Sequence, residues 1–285
     1  MMNKIENIRI RDPFVLVDNG CYFLYGTRSE TAWSDADGFD VYKSTDFKTW
    51  EGHKEIFHRP KDFWATDSFW APECIKFGTE YYLIATFGSK TRKKGIEILK
   101  SSSPEGPFES ITGGPITSDE WNCLDGTVYF EESVPYLIFS HSVPEESRGA
   151  ICAIRLRNDL TETDGELKTL FYASDARWSK PIPFAKDEFG MEGEAFFSDG
   201  PFVIKETDGT LKMLWSSWGE EGYAMGLSRS LSGNLEGPWE HGDKEYIKGG
   251  GHGMVFKGLD GCRYLTYHTP NDAGKEHPTF IHFEG

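Results

Sequence analysis

The chain has 285 residues, with 30 Lys and Arg against 46 Asp and Glu, which gives a formal net charge of −16 at neutral pH. This excess of acid argues against nucleic acid as a partner and against docking on an anionic membrane surface, because both need cationic residues. Aromatic residues make up 15% of the chain. Aromatic residues can provide flat faces for binding a sugar, and they can equally fill a large β core. The composition therefore leaves a small neutral or cationic substrate, or a polysaccharide, as possible ligands.

The cysteines and the N-terminus bear on the compartment. The five cysteines are odd in number and widely spaced, without a Cys-x-x-Cys pair, which argues against a zinc knuckle and suits a reducing compartment. Residues 1–7 hold no apolar run of the kind a signal peptide needs, and no stretch reaches the roughly 20 apolar residues of a membrane helix. We therefore expect a cytoplasmic protein, with secretion after removal of a signal as the alternative.

Short β-branched and aromatic runs, separated by Gly, Asp and Asn turns, predict an all-β fold. The first predicted hairpin joins residues 14–17 to residues 22–25 through the tight-turn sequence Asp18-Asn19-Gly20. The pattern recurs four times, with strand pairs at residues 74–77 and 81–84, 127–130 and 136–139, 202–205 and 211–215, and 254–257 and 264–267.

The five hairpins form a repeat. Aligned on Leu24, Leu83, Leu137, Met213 and Leu265, they are separated by 59, 54, 76 and 52 residues. Such a period predicts a five-bladed β-propeller, a single domain over residues 1–285 in which each blade is one four-stranded sheet. The long step predicts an insertion around residues 175–197. Unrelated hairpins in a β-sandwich are the alternative, but similar segments after three of the hairpins (residues 44–50, 103–108 and 235–239) favour the propeller.

Ionisable residues precede the hairpins at similar distances. Asp12, Asp125, Asp199 and His252 lie 12 to 14 residues before the aligned position, and residues 70–73 are the matching region of the second unit. The first strand of each propeller blade lines the central channel, so these residues should converge. A turn-capping aspartate would explain any one of them, but three carboxylates at one register favour a site. Cleavage of a glycosidic bond uses such a set, because one carboxyl protonates the leaving oxygen while another activates water or attacks the sugar.

Five segments, in order and across essentially the whole chain, resemble motifs of glycoside hydrolase family 43. They are Arg11-Asp12-Pro13-Phe14, Trp70-Ala71-Pro72-Glu73, Asp125-Gly126, Asp199-Gly200-Pro201-Phe202 and Gly251-His252-Gly253. The last two regions look most like the α-L-arabinofuranosidase-type members. The resemblance implies a five-bladed propeller without an organic cofactor. It also implies single-displacement hydrolysis, with inversion, of terminal α-L-arabinofuranosyl residues from arabinose- or xylose-containing oligosaccharides or polysaccharides of plant type.

The resemblance also implies roles for the carboxylates. Asp12 is the general base that activates water, and Asp125 orients the acid and tunes its pKa. The general acid of the family is usually a Glu before Gly-Pro, whereas Asp199 stands here, one methylene shorter. Misplacement by about 1 Å can cost about 100-fold in rate, so Glu194 or its neighbour Glu192 is an alternative proton donor. Inversion requires the acid and the base to lie roughly 6.5–9.5 Å apart.

The remaining candidates concern a metal ion and the substrate. The resemblance implies that His252 points into the channel and binds a calcium ion, with waters completing the shell; a His that satisfies local backbone groups is the alternative. Phe14 and Trp70 flank the channel positions and are candidates for the wall around a pentose ring, with core packing equally open. His141 and Trp215, at the ends of the third and fourth hairpins, are further candidates for the pocket.

Other functions stay open at this point. A β-xylosidase or an exo-galactanase of the same family is the nearest alternative, because loop conformation sets the depth of the pocket. A phosphorylase is disfavoured, since no basic cluster accompanies the channel motifs. The aspartate at the acid position keeps open a sugar-binding propeller that has lost catalysis. The aligned carboxylates speak against a propeller that only binds other proteins.

Overall fold

Short antiparallel sheets succeed one another along the chain in a computed structural model that describes residues 2–284. The strand β1 (Met2–Asn3) and a 3-10 helix (Ile5–Asn7) come first. The first sheet contains β2 (Ile10–Asp18), β3 (Cys21–Arg28) and β4 (Gly38–Ser44); β5 (Trp50–Glu51) pairs with β1, and β6 (Lys54–His58) completes the sheet beside β4.

Four further sheets follow in chain order. The second contains β7 (Asp67–Phe77), β8 (Glu80–Ser89), β9 (Arg92–Ser101) and β10 (Glu109–Ser110). The third contains β11 (Cys123–Glu131), β12 (Val134–His141), β13 (Ala150–Arg155) and β14 (Lys168–Tyr172). The fourth contains β15 (Asp199–Lys205), β16 (Leu211–Gly219), β17 (Gly222–Ser230) and β18 (Trp239–His241), with β19 (Ile247–Lys248) also paired to β17. The fifth contains β20 (Gly251–Lys257), β21 (Arg263–Thr269) and β22 (His277–His282).

The first strands of the five sheets form a closed ring. Each of β2, β7, β11, β15 and β20 contacts the first strand of the next sheet, and β2 meets β20 where the ring closes. The predicted five-bladed propeller is therefore confirmed, and a β-sandwich is excluded. The expectation of four strands in every blade is wrong for the fifth, which has three strands within residues 2–284.

Turn chemistry explains the hairpins. β2 and β3 are joined by Asn19 and Gly20 alone, with φ angles of 47° and 72°. Positive φ at both central residues gives the turn whose twist matches that of the strands. Glu132 and Ser133 make the equivalent turn between β11 and β12 with φ of 48° and 74°, although neither is a glycine. The repeat therefore imposes the turn even where the local residues do not favour it.

Most aromatic side chains fill the spaces between blades. The largest buried cluster, between the first, second and fifth blades, includes Phe39, Trp50, Phe69 and Phe87, and the rings of Phe69 and Phe87 meet edge to face at 4.8 Å. The predicted insertion lies between β14 and β15, where it carries a 3-10 helix (Ala173–Asp175) and α1 (Ala185–Phe189). No helix of residues 2–284 has the length and apolarity needed to cross a bilayer.

Candidate active site

Every inner strand carries a β-bulge at the mouth of the channel. The residues there adopt the left-handed region: Asp12 (φ 51°), Ala71 (48°), Asp125 (56°), Gly200 (51°) and His252 (48°). Four of these five are not glycine, so each stores backbone strain of about 1–3 kcal/mol that the surroundings must hold. A bulge re-aims its side chain, and here it turns three ionisable groups towards the axis.

Hydrogen bonds between adjacent blades hold these strained residues. The backbone N–H of the bulge residue donates to a hydroxyl on the second strand of the preceding blade. Such bonds run from Ala71 to Thr27, from Asp125 to Thr86 and from His252 to Ser216, each at 2.8 Å. In the first blade the acceptor is instead Nδ1 of His268, which lies 3.2 Å from the nitrogen of Asp12. The blades are thus tied together at the level of the site.

Asp199 does not share the register of Asp12 and Asp125, which corrects the sequence prediction. The bulge residue of the fourth blade is Gly200, and Asp199 lies one residue earlier, opposite Ser216 on β16. The error arose because residues 206–210 join β15 to β16, whereas two residues join β2 to β3. The side chain of Asp199 is accordingly 20% exposed, against 8% for Asp12 and 9% for Asp125. It belongs to the wall of the site rather than to the floor.

His252 lies at the centre of the three carboxylates. Its Nδ1 is 2.9 Å from Oδ1 of Asp199, 3.2 Å from Oδ1 of Asp12 and 3.9 Å from Oδ2 of Asp125. Burial alone would lower the pKa of His252, but the charges of Asp12 and Asp199 outweigh it and raise that pKa well above its usual value. Four ionisable groups from four blades therefore meet on the axis.

The surroundings push the pKa values of Asp12 and Asp125 in opposite directions. Burial would raise the pKa of Asp12, but the neighbouring His252 and Arg11 hold it far below its usual range. Burial and then the charge of Asp199 raise the pKa of Asp125 well above its usual range. Asp12 is therefore ionised at neutral pH and able to accept a proton, as a general base must be, while Asp125 retains its proton.

Asp199 lies between Tyr223 and His252. The hydroxyl of Tyr223 donates to its Oδ2 at 3.0 Å, and Nδ1 of His252 lies beside its Oδ1. Because Nδ1 of His252 also approaches Asp12, the nearest oxygens of Asp12 and Asp199 are separated by at most the sum of two distances, about 6.1 Å. That separation is shorter than the roughly 6.5–9.5 Å expected of an inverting pair. The difference follows from the contact that both carboxylates make with one imidazole nitrogen.

Asp12, Asp125 and His252 form the floor of a cavity of about 900 Å³, and Asp199 lies in its wall. Trp33, from the loop between β3 and β4, and Trp70, from β7, line it on the side of the first two blades. Phe184 of the insertion, Phe197 and Trp218 line it on the side of the fourth blade. Aromatic faces thus stand on both sides of the buried acids, an arrangement that suits a sugar ring above a pair of carboxyl groups.

Three predicted substrate contacts lie in the core instead of the cavity. Phe14 is buried two residues beyond the bulge, where it packs edge-on against Phe202 at 6.3 Å. Trp215 is fully buried in the cluster between the third and fourth blades. The ring of His141 is buried and stacked on that of Trp121 at 4.1 Å. Successive side chains of a strand point to opposite faces, and these three point into the packing between blades. Their position near a strand end does not show which face they occupy.

The other proton donors considered lie outside the cavity. Glu194 is exposed on the segment before β15 and does not line the cavity, and Glu192 pairs with Lys186 at 3.0 Å. Glu73, two residues beyond Ala71, is buried and does not line the cavity, and burial raises its pKa to about 8. It is therefore a protonated core residue.

Trp33 and Tyr223 are among the cavity residues that the sequence did not single out as candidates. Trp33 lies in a loop that has no counterpart in the repeat, so no alignment of blades points to it. Tyr223 is buried, and its hydroxyl reaches Asp199 from β17, the third strand of its blade. In the sequence, Tyr223 stands out only as part of the segment Gly222-Tyr223-Ala224-Met225-Gly226.

A five-bladed propeller with convergent carboxylates at the mouth of its channel, beneath aromatic walls, defines a glycoside hydrolase. The chain belongs to family 43 of the glycosyl hydrolases, whose sequence profile matches residues 1–281.

Several similar proteins have names that describe the cleavage of arabinans or galactofuranosides. The solved structure of an endo-arabinase from Bacteroides thetaiotaomicron superposes with a TM-score of 0.90 and is 37% identical, over 99% of this chain and 96% of that one. A β-D-galactofuranosidase of Aspergillus niger is 24% identical over 93% of this chain and 76% of its own length. An extracellular endo-α-(1→5)-L-arabinanase of Bacillus subtilis is 26% identical over 47% of this chain and 44% of its own.

Proposed function

We propose that the protein removes terminal α-L-arabinofuranosyl residues from arabinose-containing oligosaccharides, with inversion at the anomeric carbon. The observation that carries the proposal is the meeting of Asp12, Asp125 and Asp199 at one cavity with aromatic walls. Similarity to two arabinan-cleaving proteins supports arabinose as the sugar. Exo action is proposed because aromatic side chains stand on two sides of the cavity, Phe184, Phe197 and Trp218 on one side and Trp33 and Trp70 on the other.

In the proposed reaction Asp12 takes a proton from a water molecule, whose oxygen attacks the anomeric carbon. Asp199, which has to take up a proton before the reaction, gives that proton to the glycosidic oxygen as the bond between that oxygen and the anomeric carbon breaks. The sugar is released as the hemiacetal and the remainder as an alcohol. Asp125 keeps its proton and orients the acid. Rotation of Asp199 away from His252, towards the leaving oxygen, would lengthen its distance to Asp12 and make room for the attacking water.

A β-D-galactofuranosidase is the second candidate, favoured by the similarity to the Aspergillus protein. An α-L-arabinofuranoside and a β-D-galactofuranoside share the configuration of the five-membered ring and differ in the group outside it. A cavity of about 900 Å³ has room for either. The site residues near that outer group, rather than the carboxylates, would then decide the specificity.

A calcium ion is proposed as a further component of the site. In a state in which all three have lost their protons, Asp125, Asp199 and His252 would hold it, since each offers a ligand atom and these atoms lie within 4.8 Å of one another. The two carboxylate oxygens suit calcium, whereas the imidazole nitrogen is an uncommon ligand for it, so waters would complete the shell. The ion would supply positive charge beside the acids. Loss of activity on chelation and its recovery with calcium would support the proposal.

The test is product analysis on matched nitrophenyl glycosides. We expect the wild-type protein to release nitrophenol from the α-L-arabinofuranoside faster than from the β-D-galactofuranoside and the β-D-xylopyranoside. Asp12→Asn should abolish turnover, whereas Asp243→Asn, at an exposed ion pair, should leave it unchanged. Proton NMR of the first anomer released tests inversion.

Other outcomes assign other functions. Faster release from the galactofuranoside would make the second candidate the function, and faster release from the xylopyranoside would indicate a β-xylosidase. Retention of configuration would overturn the inverting mechanism. Binding across a glycan panel without turnover would indicate a sugar-binding propeller.

A further inference from the structure

Trp33 is a large apolar side chain that the fold leaves exposed at the cavity. It lies in the loop between β3 and β4, is 64% exposed, and lines the cavity whose floor holds Asp12. An indole in that position contributes little to the core. Binding cavities are lined mainly by apolar and aromatic side chains around a few polar groups, and Trp33 extends such a lining to the rim of this cavity.

The ring is held on one side by a cation. The guanidinium carbon of Arg11 lies 5.2 Å from the centroid of the Trp33 ring. Arg11 is itself fixed, because its Nη1 donates to the buried Glu276 at 2.7 Å and to Asn271 at 2.9 Å. The cation therefore covers one face of the indole and leaves the rest of its surface to solvent.

A second tryptophan supports the ring from the wall. The rings of Trp33 and Trp70 meet edge to face at 5.2 Å. Nε1 of Trp70 donates at 2.6 Å to the carbonyl of Ala32, the residue before Trp33, so that the same indole fixes both the ring and its backbone. An aromatic platform held in this way binds a ligand without a large loss of side-chain entropy.

The position of Trp33 decides which part of a substrate it meets. The side chains of Asp12 and Asp125 are only 8% and 9% exposed at the inner end of the cavity, whereas Trp33 is 64% exposed at its outer end. The sugar that is cleaved must therefore occupy the floor, and the leaving group must point to the mouth. Trp33 contacts Arg11, the residue next to Asp12, and lines the same cavity as both, so it is a candidate to meet the sugar beyond the scissile bond.

We propose that Trp33 is the platform for the sugar on the leaving-group side of the scissile bond. The C–H groups of that ring would pack on the open surface of the indole, so the protein would prefer a glycoside of a second sugar to a glycoside of a small alcohol. This inference rests on the proposed exo-glycosidase function and specifies its acceptor side.

The experiment compares two substrates that share the cleaved sugar. Wild type, Trp33→Ala and Trp33→Phe are assayed on α-(1→5)-arabinobiose, which has a second sugar, and on methyl α-L-arabinofuranoside, which has none. We expect Trp33→Ala to lower kcat/KM on the disaccharide about tenfold, mainly through KM, and to change the methyl glycoside by less than about twofold. Trp33→Phe should keep part of the preference. Tyr246→Ala, at an exposed aromatic residue that does not line the cavity, is the matched control.

Two results would overturn the inference. One is an equal loss on both substrates in Trp33→Ala, which would mean that Trp33 only supports the loop; the other is no loss on either.

If the wild-type protein cleaves another sugar, the proposed specificity fails, and the same comparison is made with the disaccharide and methyl glycoside of that sugar. If no glycoside is cleaved, binding of arabinobiose and of arabinose to wild type and Trp33→Ala is measured by calorimetry. Loss of the disaccharide's advantage would support the platform, and an unchanged advantage would overturn it.

Discussion

The backbone N–H of Asp12 donates to Nδ1 of His268 at 3.2 Å, where the corresponding bonds of Ala71, Asp125 and His252 end on hydroxyls. His268 can accept this bond only while Nδ1 carries no proton. Burial and the nearby charge of Arg11 lower the pKa of His268 to about 4, so its ring is neutral at neutral pH. The residue beside the base is thus a fixed acceptor, and it holds Asp12 in its left-handed conformation without donating to it.

Replacement of His268 tests this positioning role. The amide oxygen of Asn can occupy the place of Nδ1, so His268→Asn should retain most of the activity. His268→Leu keeps the bulk but removes the acceptor, and we expect kcat to fall about 100-fold with little change in KM, because Asp12 is displaced by a fraction of an ångström. Steady-state kinetics at one pH measure both values. Full kcat in His268→Leu would show that the hydrogen bond does not position the base.

Periodicity made the propeller and two of its acids predictable. The hairpin repeat gave five blades, and Asp12 and Asp125 fell at one register because their hairpins have two-residue turns. Asp199 was misaligned by one residue, since a longer loop follows its strand. The residue pattern of a strand does not show which of its side chains face the channel, so the sequence wrongly suggested Trp215 as a pocket residue. The pattern also does not show where a loop folds, so it gave no indication of Trp33.

Asp199 and Glu194 can be separated as candidates for the general acid. Asp199→Asn removes the proton donor, so kcat should fall about 100-fold or more on arabinobiose, whose leaving oxygen needs protonation. The loss should be much smaller on a nitrophenyl glycoside, because nitrophenolate leaves without a proton. Glu194→Gln, at an exposed site outside the cavity, should match wild type on both substrates. The reverse result would make Glu194 the acid.

Glu73 should make stability depend on pH. Burial raises its pKa to about 8 in the folded protein, whereas an unfolded Glu titrates near about 4.3. The folded state therefore binds the proton more tightly, and stability is lost as pH rises from about 4.3 to about 8. Glu73→Gln, which cannot ionise, should have a free energy of unfolding higher than wild type by about 5 kcal/mol at pH 8, with little difference at pH 4.

Urea unfolding at the two pH values measures this difference. The surface variant Glu194→Gln, which keeps Glu73, is the control and should match the stability of wild type at each pH. A Glu73→Gln variant that differs from wild type by the same amount at pH 4 and at pH 8 would contradict the assignment of a protonated buried carboxyl.

Gly200 is predicted to be required for the position of His252. Its φ is +51°, and a Cβ added to it would lie 2.7 Å from the imidazole ring of His252. Gly20, with φ +72°, has no atom within 4 Å of its added Cβ, so it offers a matched variant that carries the backbone strain alone.

Both Gly20→Ala and Gly200→Ala should lose about 1–2 kcal/mol of stability. Only Gly200→Ala should also lose activity, because the ring must move and His252 contacts both Asp12 and Asp199. Thermal unfolding and kcat of the two variants provide the comparison, and equal activity in both would show that the site tolerates displacement of His252.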